Sequence, residues 1–221
     1  ISGNPWINSK FKLRGYKAKK HFHKVEDVWN WGWSKNLGTV LPKKLCSAVS
    51  QEKKENPSKR FIVHYMQPHA PYLNLQNLKW ESYWESHKQK NSEKKPRLPH
   101  KKINSWIWWK IVDLLGMERT SKIREVLNLP PLTLVTRALR KVGKDGLRKS
   151  YIENLETCLK SIANCNELNS ENKEVIVTSD HGELLGEGKM WGHGFQKRLE
   201  LVKVPWLEVH NTKVQVRSKN L

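Results

Sequence analysis

The stretch from Glu174 to Glu183, Glu-Val-Ile-Val-Thr-Ser-Asp-His-Gly-Glu, constrains the fold more than any other part of the chain. Its apolar, β-branched start reads as a buried strand. The strand runs into a carboxylate, Asp180, then an imidazole, His181, then Gly182, whose missing side chain lets the backbone turn sharply. In open α/β sheets, ligands gather beyond the carboxyl ends of the strands. Asp180 and His181 are therefore candidate metal ligands or a catalytic pair. A polar, Gly-rich loop follows and leads to Trp191-Gly192-His193-Gly194, which can return a third donor, His193, to the same place. Taken alone, Asp-His-Gly also fits an Asx-type turn that closes a strand.

The flanking segments support a sheet with a site at its rim. Leu147, Tyr151, Leu155, Leu159 and Ile162 recur at helical spacing and predict one helix, opened by Gly146, with these residues as its apolar face. A polar loop from Asn164 to Lys173 joins that helix to the strand, which makes half of a βαβ unit. Arg60 to Met66 reads as a second buried strand, ending in the turn Gln67-Pro68-His69-Ala70-Pro71-Tyr72. Two strands with His-bearing turns at their ends would share one rim and bring His69 to it. Leu199 to Val209 reads as a further strand, where Pro205 implies an edge or a bulge.

Other segments read as scaffold. Trp29, Trp31 and Trp33 are expected to pack, and His21 and His23 to lie on a solvated face. Ser105 to Gly116 carries three tryptophans but is too short to cross a bilayer; it covers the core or forms an interfacial helix. Residues 117–145 mix helix and loop, with a break at Pro130-Pro131. The run from Ser86 to Lys102 reads as a basic surface insertion in a single domain over residues 1–221.

Composition narrows the partners without choosing one. A formal charge of +20 on 221 residues implies attraction to anions, whether nucleic acid, acidic lipid or a sulfated or phosphorylated substrate. The basic run lacks interleaved aromatics, so nucleic acid is not the favoured partner. Cys46, Cys158 and Cys165 form neither a CxxC pair nor an even set, which argues against a disulfide framework and a zinc knuckle. No transmembrane segment is expected, because no run approaches about 18 consecutive apolar residues. The opening Ile1-Ser2-Gly3-Asn4-Pro5-Trp6 reads like the interior of a longer chain, and a cytoplasmic location is the working expectation.

The string Val175 to Glu187, with Gly192-His193 and then Lys203-Val204-Pro205-Trp206 after it, resembles the sulfatase-like branch of the alkaline phosphatase superfamily. Phe61 to Tyr72 looks like that family's strand whose His faces the substrate anion. Ser150-Tyr151 to Leu159 is similar to its helix before the Ser-Asp-His strand, and Ser2 to Trp6 to its segment soon after the nucleophile. The likeness runs from the start of the chain to about residue 209. It implies a three-layer α/β/α sandwich around a mixed sheet, incomplete at its N-terminus. It further implies hydrolysis of sulfate esters at a divalent metal, with phosphate-ester hydrolysis or phospho-group transfer as the alternative.

By the same resemblance Asp180 and His181 would be metal ligands, and His193 a further ligand or a contact to substrate and leaving group. His69 would bind the anion's oxygens. Cys46 is followed by Ser47-Ala48-Val49, which lacks the context formylglycine formation needs, so no nucleophile is assigned. The metal could be Zn, Mn, Ca or Mg; mixed nitrogen and oxygen ligands favour Zn²⁺ or Mn²⁺. Imidazoles at His69 and His193 titrate near working pH and can donate to ester oxygens. Lys189 is a candidate anion contact, and Glu183 reads as a capping or loop carboxylate. A non-enzymatic, basic polyanion-binding protein is the other function class.

Overall fold

The structure is a computed structural model and describes residues 1–13, 15–78, 105–168, 174–194, 197–210 and 213–220. In chain order its elements are α1 (Val28–Trp31), β1 (Trp33–Ser34), β2 (Thr39–Val40) and α2 (Pro42–Glu55). Then come α3 (Ser105–Leu115), α4 (Met117–Val126), α5 (Leu134–Ala163), β3 (Val175–Thr178), β4 (Leu184–Leu185) and β5 (Trp191–Gly192). The chain closes with α6 (Leu199–Val202), β6 (Lys203–His210) and β7 (Lys213–Asn220). Helices mix with short antiparallel strands, which is α/β in the broad sense. The expected basic insertion, Ser86 to Lys102, lies outside the described residues.

Two compact units divide the chain: Ile1–Pro96 with Ser150–Asn169, and Arg97–Lys149 with Ser170–Leu221. In the first unit, Pro42 starts α2 where its missing N–H costs nothing. Leu45, Ala48, Val49 and Glu52 then fall on one buried face. Leu45 and Ala48 pack with Val28, Trp29 and Val40 into a core. Trp29 is buried as expected, whereas Trp31 is exposed and its Nε1 donates to Glu26 Oε1 at 2.8 Å.

The expected strand from Arg60 to Met66 does not form. His64 makes one isolated parallel bridge to Ser2, whose other side bridges Asp27. His64 N donates to Ile1 O and Gly3 N to His64 O, both at 2.9 Å. Pairing ends there because the partner segment turns away at Asn4, whose carbonyl accepts from Ile7 N at 3.1 Å. Ile62 is left exposed.

Helix α5 departs from the sequence reading in two ways. Its break is at Gly143, with φ 69°, and helical backbone already runs through Gly146. Its buried stripe is Leu147, Ser150, Asn154 and Cys158, while Leu155 and Leu159 are exposed. The stripe keeps the helical period but is rotated toward polar residues, because Asn154 satisfies buried backbone groups that an apolar side chain could not.

In the second unit, β3, β6 and β7 make a three-stranded antiparallel sheet with β6 in the middle. Thr178 pairs with Trp206 at the end of the β3 ladder, so Pro205 lies one residue beyond β3's reach. Its carbonyl accepts from Thr178 Oγ1 at 2.7 Å, which places its missing N–H on the side where β3 has ended. The expected edge is therefore local to Pro205, and β6 as a whole is central. Strand β3 alternates half-buried and exposed residues rather than being buried throughout. No helix among the described residues is long and apolar enough to cross a membrane.

Candidate metal centre

The turn after β3 is fixed by its glycine. A Cβ at Gly182 would fall 1.8 Å from Glu200 O, so no side chain fits there. Gly182 N donates to Leu201 O at 2.9 Å, pinning the turn against α6. Ser179 Oγ donates to His181 O at 2.9 Å and tightens it further. Asp180 and His181 are thereby held at the surface end of the strand.

His181 Nδ1 lies 2.8 Å from Gly182 O, a partner that only accepts, so Nδ1 carries the proton. Its Nε2 is then the basic nitrogen, and it lies 3.8 Å from Asp180 Oδ1. Two ligands each about 2.0–2.2 Å from one ion can be up to about 4.4 Å apart, so this separation is compatible with both atoms ligating one cation.

A two-rung hairpin supplies the rest. β4 pairs β5 with Leu184 opposite Gly192 and Leu185 opposite Trp191. Continuing that register outward sets Glu183 opposite His193. Glu183 Oε2 lies 2.8 Å from His193 Nδ1, and the His193 ring sits 4.1 Å from the His181 ring between centroids. Glu183's carboxylate is 6% exposed, whereas Asp180 is 62% exposed at the rim. Hydrogen bonding to Glu183 raises the His193 pKa above its ordinary value; burial opposes this, and the charges of Glu183 and Asp180 add to it.

The Asp180–His181 pair is chemically compatible with a divalent cation. Glu183 Oε1 is buried with no hydrogen-bond partner. The cost of burying this carboxylate is offset by the His193 imidazole beside Oε2. Asp180 and His181 offer a carboxylate and an imidazole within reach of one ion, a mixed oxygen and nitrogen pair of the kind Zn²⁺ or Mn²⁺ takes.

Asp180, His181 and His193, singled out in the sequence, come together here. Glu183, read as a capping or loop carboxylate, pairs with His193, a contact whose signal is the hairpin register that sets the two opposite each other. Lys189 lies in the loop joining β4 to β5, at the other end of the hairpin from Glu183 and His193. It is exposed there, and its Cβ packs so closely on Gly116 that a Cβ on Gly116 would sit 2.5 Å away.

His69 belongs to the first unit. Its Nδ1 contacts Ala70 O, in a turn with cis bonds before Pro68 and Pro71. Asn154, a residue missed in the sequence, holds that turn. Its Oδ1 accepts from Leu73 N at 2.8 Å, and its Nδ2 donates to Pro71 O at 3.0 Å. Longer contacts of 3.3 Å run to Pro68 O and His69 O. Gln67 anchors the turn's start, with Nε2 donating to Val40 O at 3.2 Å.

The cysteines behave as the sequence suggests. All three are free thiols, and Cys46 Sγ donates to Ser161 O at 3.2 Å. Burial pushes the Cys158 and Cys165 thiols up to about 12, which keeps them protonated at neutral pH.

No family model, curated protein or solved structure matches the chain.

Proposed function

We propose that this chain carries a metal-binding site of a sulfatase-type hydrolase acting on sulfate esters, with phosphate esters as the neighbouring substrate class. The observation that supports it is the grouping of Asp180, His181, Glu183 and His193 at one strand end, with Glu183 Oε1 buried and unpartnered. The proposal includes the three-layer α/β/α sandwich that the Ser-Asp-His-Gly-Glu resemblance implies. His69 as an anion contact rests on that resemblance alone.

In this reading Asp180 and His181 would hold the ion, which would polarise an ester oxygen as a Lewis acid. His181 is oriented for it by the Gly182 carbonyl, which fixes the ring's tautomer. Glu183 keeps His193 protonated to higher pH. The imidazolium then carries a proton on Nε2 that can pass to the leaving oxygen as its bond to sulfur or phosphorus breaks.

The test is metal uptake, which does not depend on turnover. The purified chain is equilibrated with Mn²⁺ or Zn²⁺, dialysed, and its metal content and affinity are measured. About one ion per chain is expected, and Asp180→Ala and His181→Ala should each weaken binding by about tenfold or more. Stoichiometric metal that both variants keep at unchanged affinity would overturn the assignment.

A further inference from the structure

The first unit concentrates ligand-type side chains of one sign near its start. From Lys10 to Lys24 the sequence holds seven Lys or Arg, together with His21 and His23, and no Asp or Glu. Part of this run closes around a surface cavity of about 200 Å³, lined by Lys12, Gly15, Lys17, Lys20 and His21.

Two short turns build the cavity. Leu13 N donates to Tyr16 O at 3.0 Å and Tyr16 N to Leu13 O at 2.8 Å, a tight turn in which Gly15 takes φ 92°. A single 3-10 turn, Ala18–Lys20, follows, with Ala18 buried as its anchor. Lys20 N donates to Lys17 O at 3.0 Å, which sets these two lysines, three residues apart, on one side of the turn. The Tyr16 ring stacks on the His21 ring, with centroids 4.9 Å apart and planes at 7°, and so ties the first turn to the second.

The nearby carboxylates do not cancel this charge, because each is engaged elsewhere. Asp27 accepts from Ser9 N at 3.0 Å and from Ser9 Oγ at 2.6 Å, and Glu26 accepts from Trp31 Nε1. Glu52 and Glu55 both pair with Lys24. Among the described residues no carboxylate pairs with Lys12, Lys17 or Lys20. An ammonium group is a compact charge with three donors, suited to the oxygens of a tetrahedral dianion. The cavity has room for such a group and a few waters, each of about 30 Å³. It falls below the roughly 300 Å³ at which pockets for whole organic ligands begin.

We propose that this cavity is a binding site for a sulfate or phosphate group, held by the ammonium groups of Lys12, Lys17 and Lys20 with His21 as a further donor. It shares no residue with the Asp180–His181 pair and needs no metal.

The test is an NMR titration of the full chain with inorganic sulfate and with inorganic phosphate, at an ionic strength held constant with sodium chloride. The His21 ring and the Gly15 amide should shift and saturate with either ion. K12Q/K17Q/K20Q should weaken binding by about tenfold or more. K35Q/K43Q/K59Q removes the same charge from exposed lysines elsewhere in the unit and should bind within about twofold of the parent. Thermal melts confirm that both variants fold. Asp180→Ala should leave the titration unchanged, so this site and the metal reading stand or fall separately. Phenyl phosphate bound as well as the free ion would support a site for the oxyanion itself, and tighter binding would support a site for its esters. Equal weakening by the two triple variants would overturn the proposal, because net charge alone would then attract the ion. Shifts that grow without saturating would overturn it as well.

Discussion

Glu183 Oε2 and His193 Nδ1 lie 2.8 Å apart, ten residues separated in sequence and one rung beyond a two-rung β ladder. The contact joins a buried carboxylate to an imidazole that itself touches His181. It ties the protonation of the hairpin to the geometry of the Asp-His turn.

That contact has a pH signature in the metal-free protein. The folded pKa of His193 is raised, so its protonation stabilises the fold fully below the unfolded value, about 6.5. The contribution fades as pH rises through the folded value. A histidine NMR titration should place His193 above its ordinary range, and Glu183→Gln should bring it back down. Stability of the parent should fall more than that of Glu183→Gln as pH is raised across this window. A His193 titration unmoved by Glu183→Gln would contradict the pairing.

Gly182→Ala should be among the most damaging small substitutions in the second unit. Its methyl would meet Glu200 O at 1.8 Å, and the obstacle is backbone rather than a flexible side chain. A loss of about 3 kcal/mol or more in denaturant unfolding is expected, together with weakened metal uptake because Asp180 and His181 move with the turn.

Asn154→Ala should release the His69 turn. It removes the acceptor for Leu73 N and the donor to Pro71 O, leaving buried backbone groups without partners, at a cost of about 2–4 kcal/mol. Amide exchange should rise at Leu73. Asn154→Asp keeps the acceptor but sets a carboxylate against the Pro68, His69 and Pro71 carbonyls, and should be no better.

Two leucines of α5 separate the face expected from sequence from the face observed. Leu147 is fully buried, and Leu147→Ala should cost about 2–5 kcal/mol. Leu159, on the expected apolar face, is exposed, and Leu159→Ala should cost under about 1 kcal/mol. Equal losses would restore the apolar stripe as the buried one.

Much of this was local enough to be legible in the chain. The β-branched run ending at Thr178, the helix over 147–162 and the break at Pro130-Pro131 all follow from short-range backbone chemistry, whereas glycine at 182 is required by the approach of the Glu200 carbonyl. The choice of Asp180, His181 and His193 was local too, because ligand-type side chains beside a Gly-bounded strand end are a local pattern. Tertiary structure decided the rest. Residues 60–66 have strand composition, but a strand needs a partner ladder, and the one offered ends after Gly3. The buried face of α5 turned toward Asn154 because the turn around His69 presents carbonyls that only a side-chain amide can satisfy. Glu183 gained its place from a hairpin register, a pairing between distant residues. The sequence by itself determined which donor-type side chains flank the strand end; only the tertiary structure decided which of them meet, because burial and pairing depend on what the rest of the chain brings alongside.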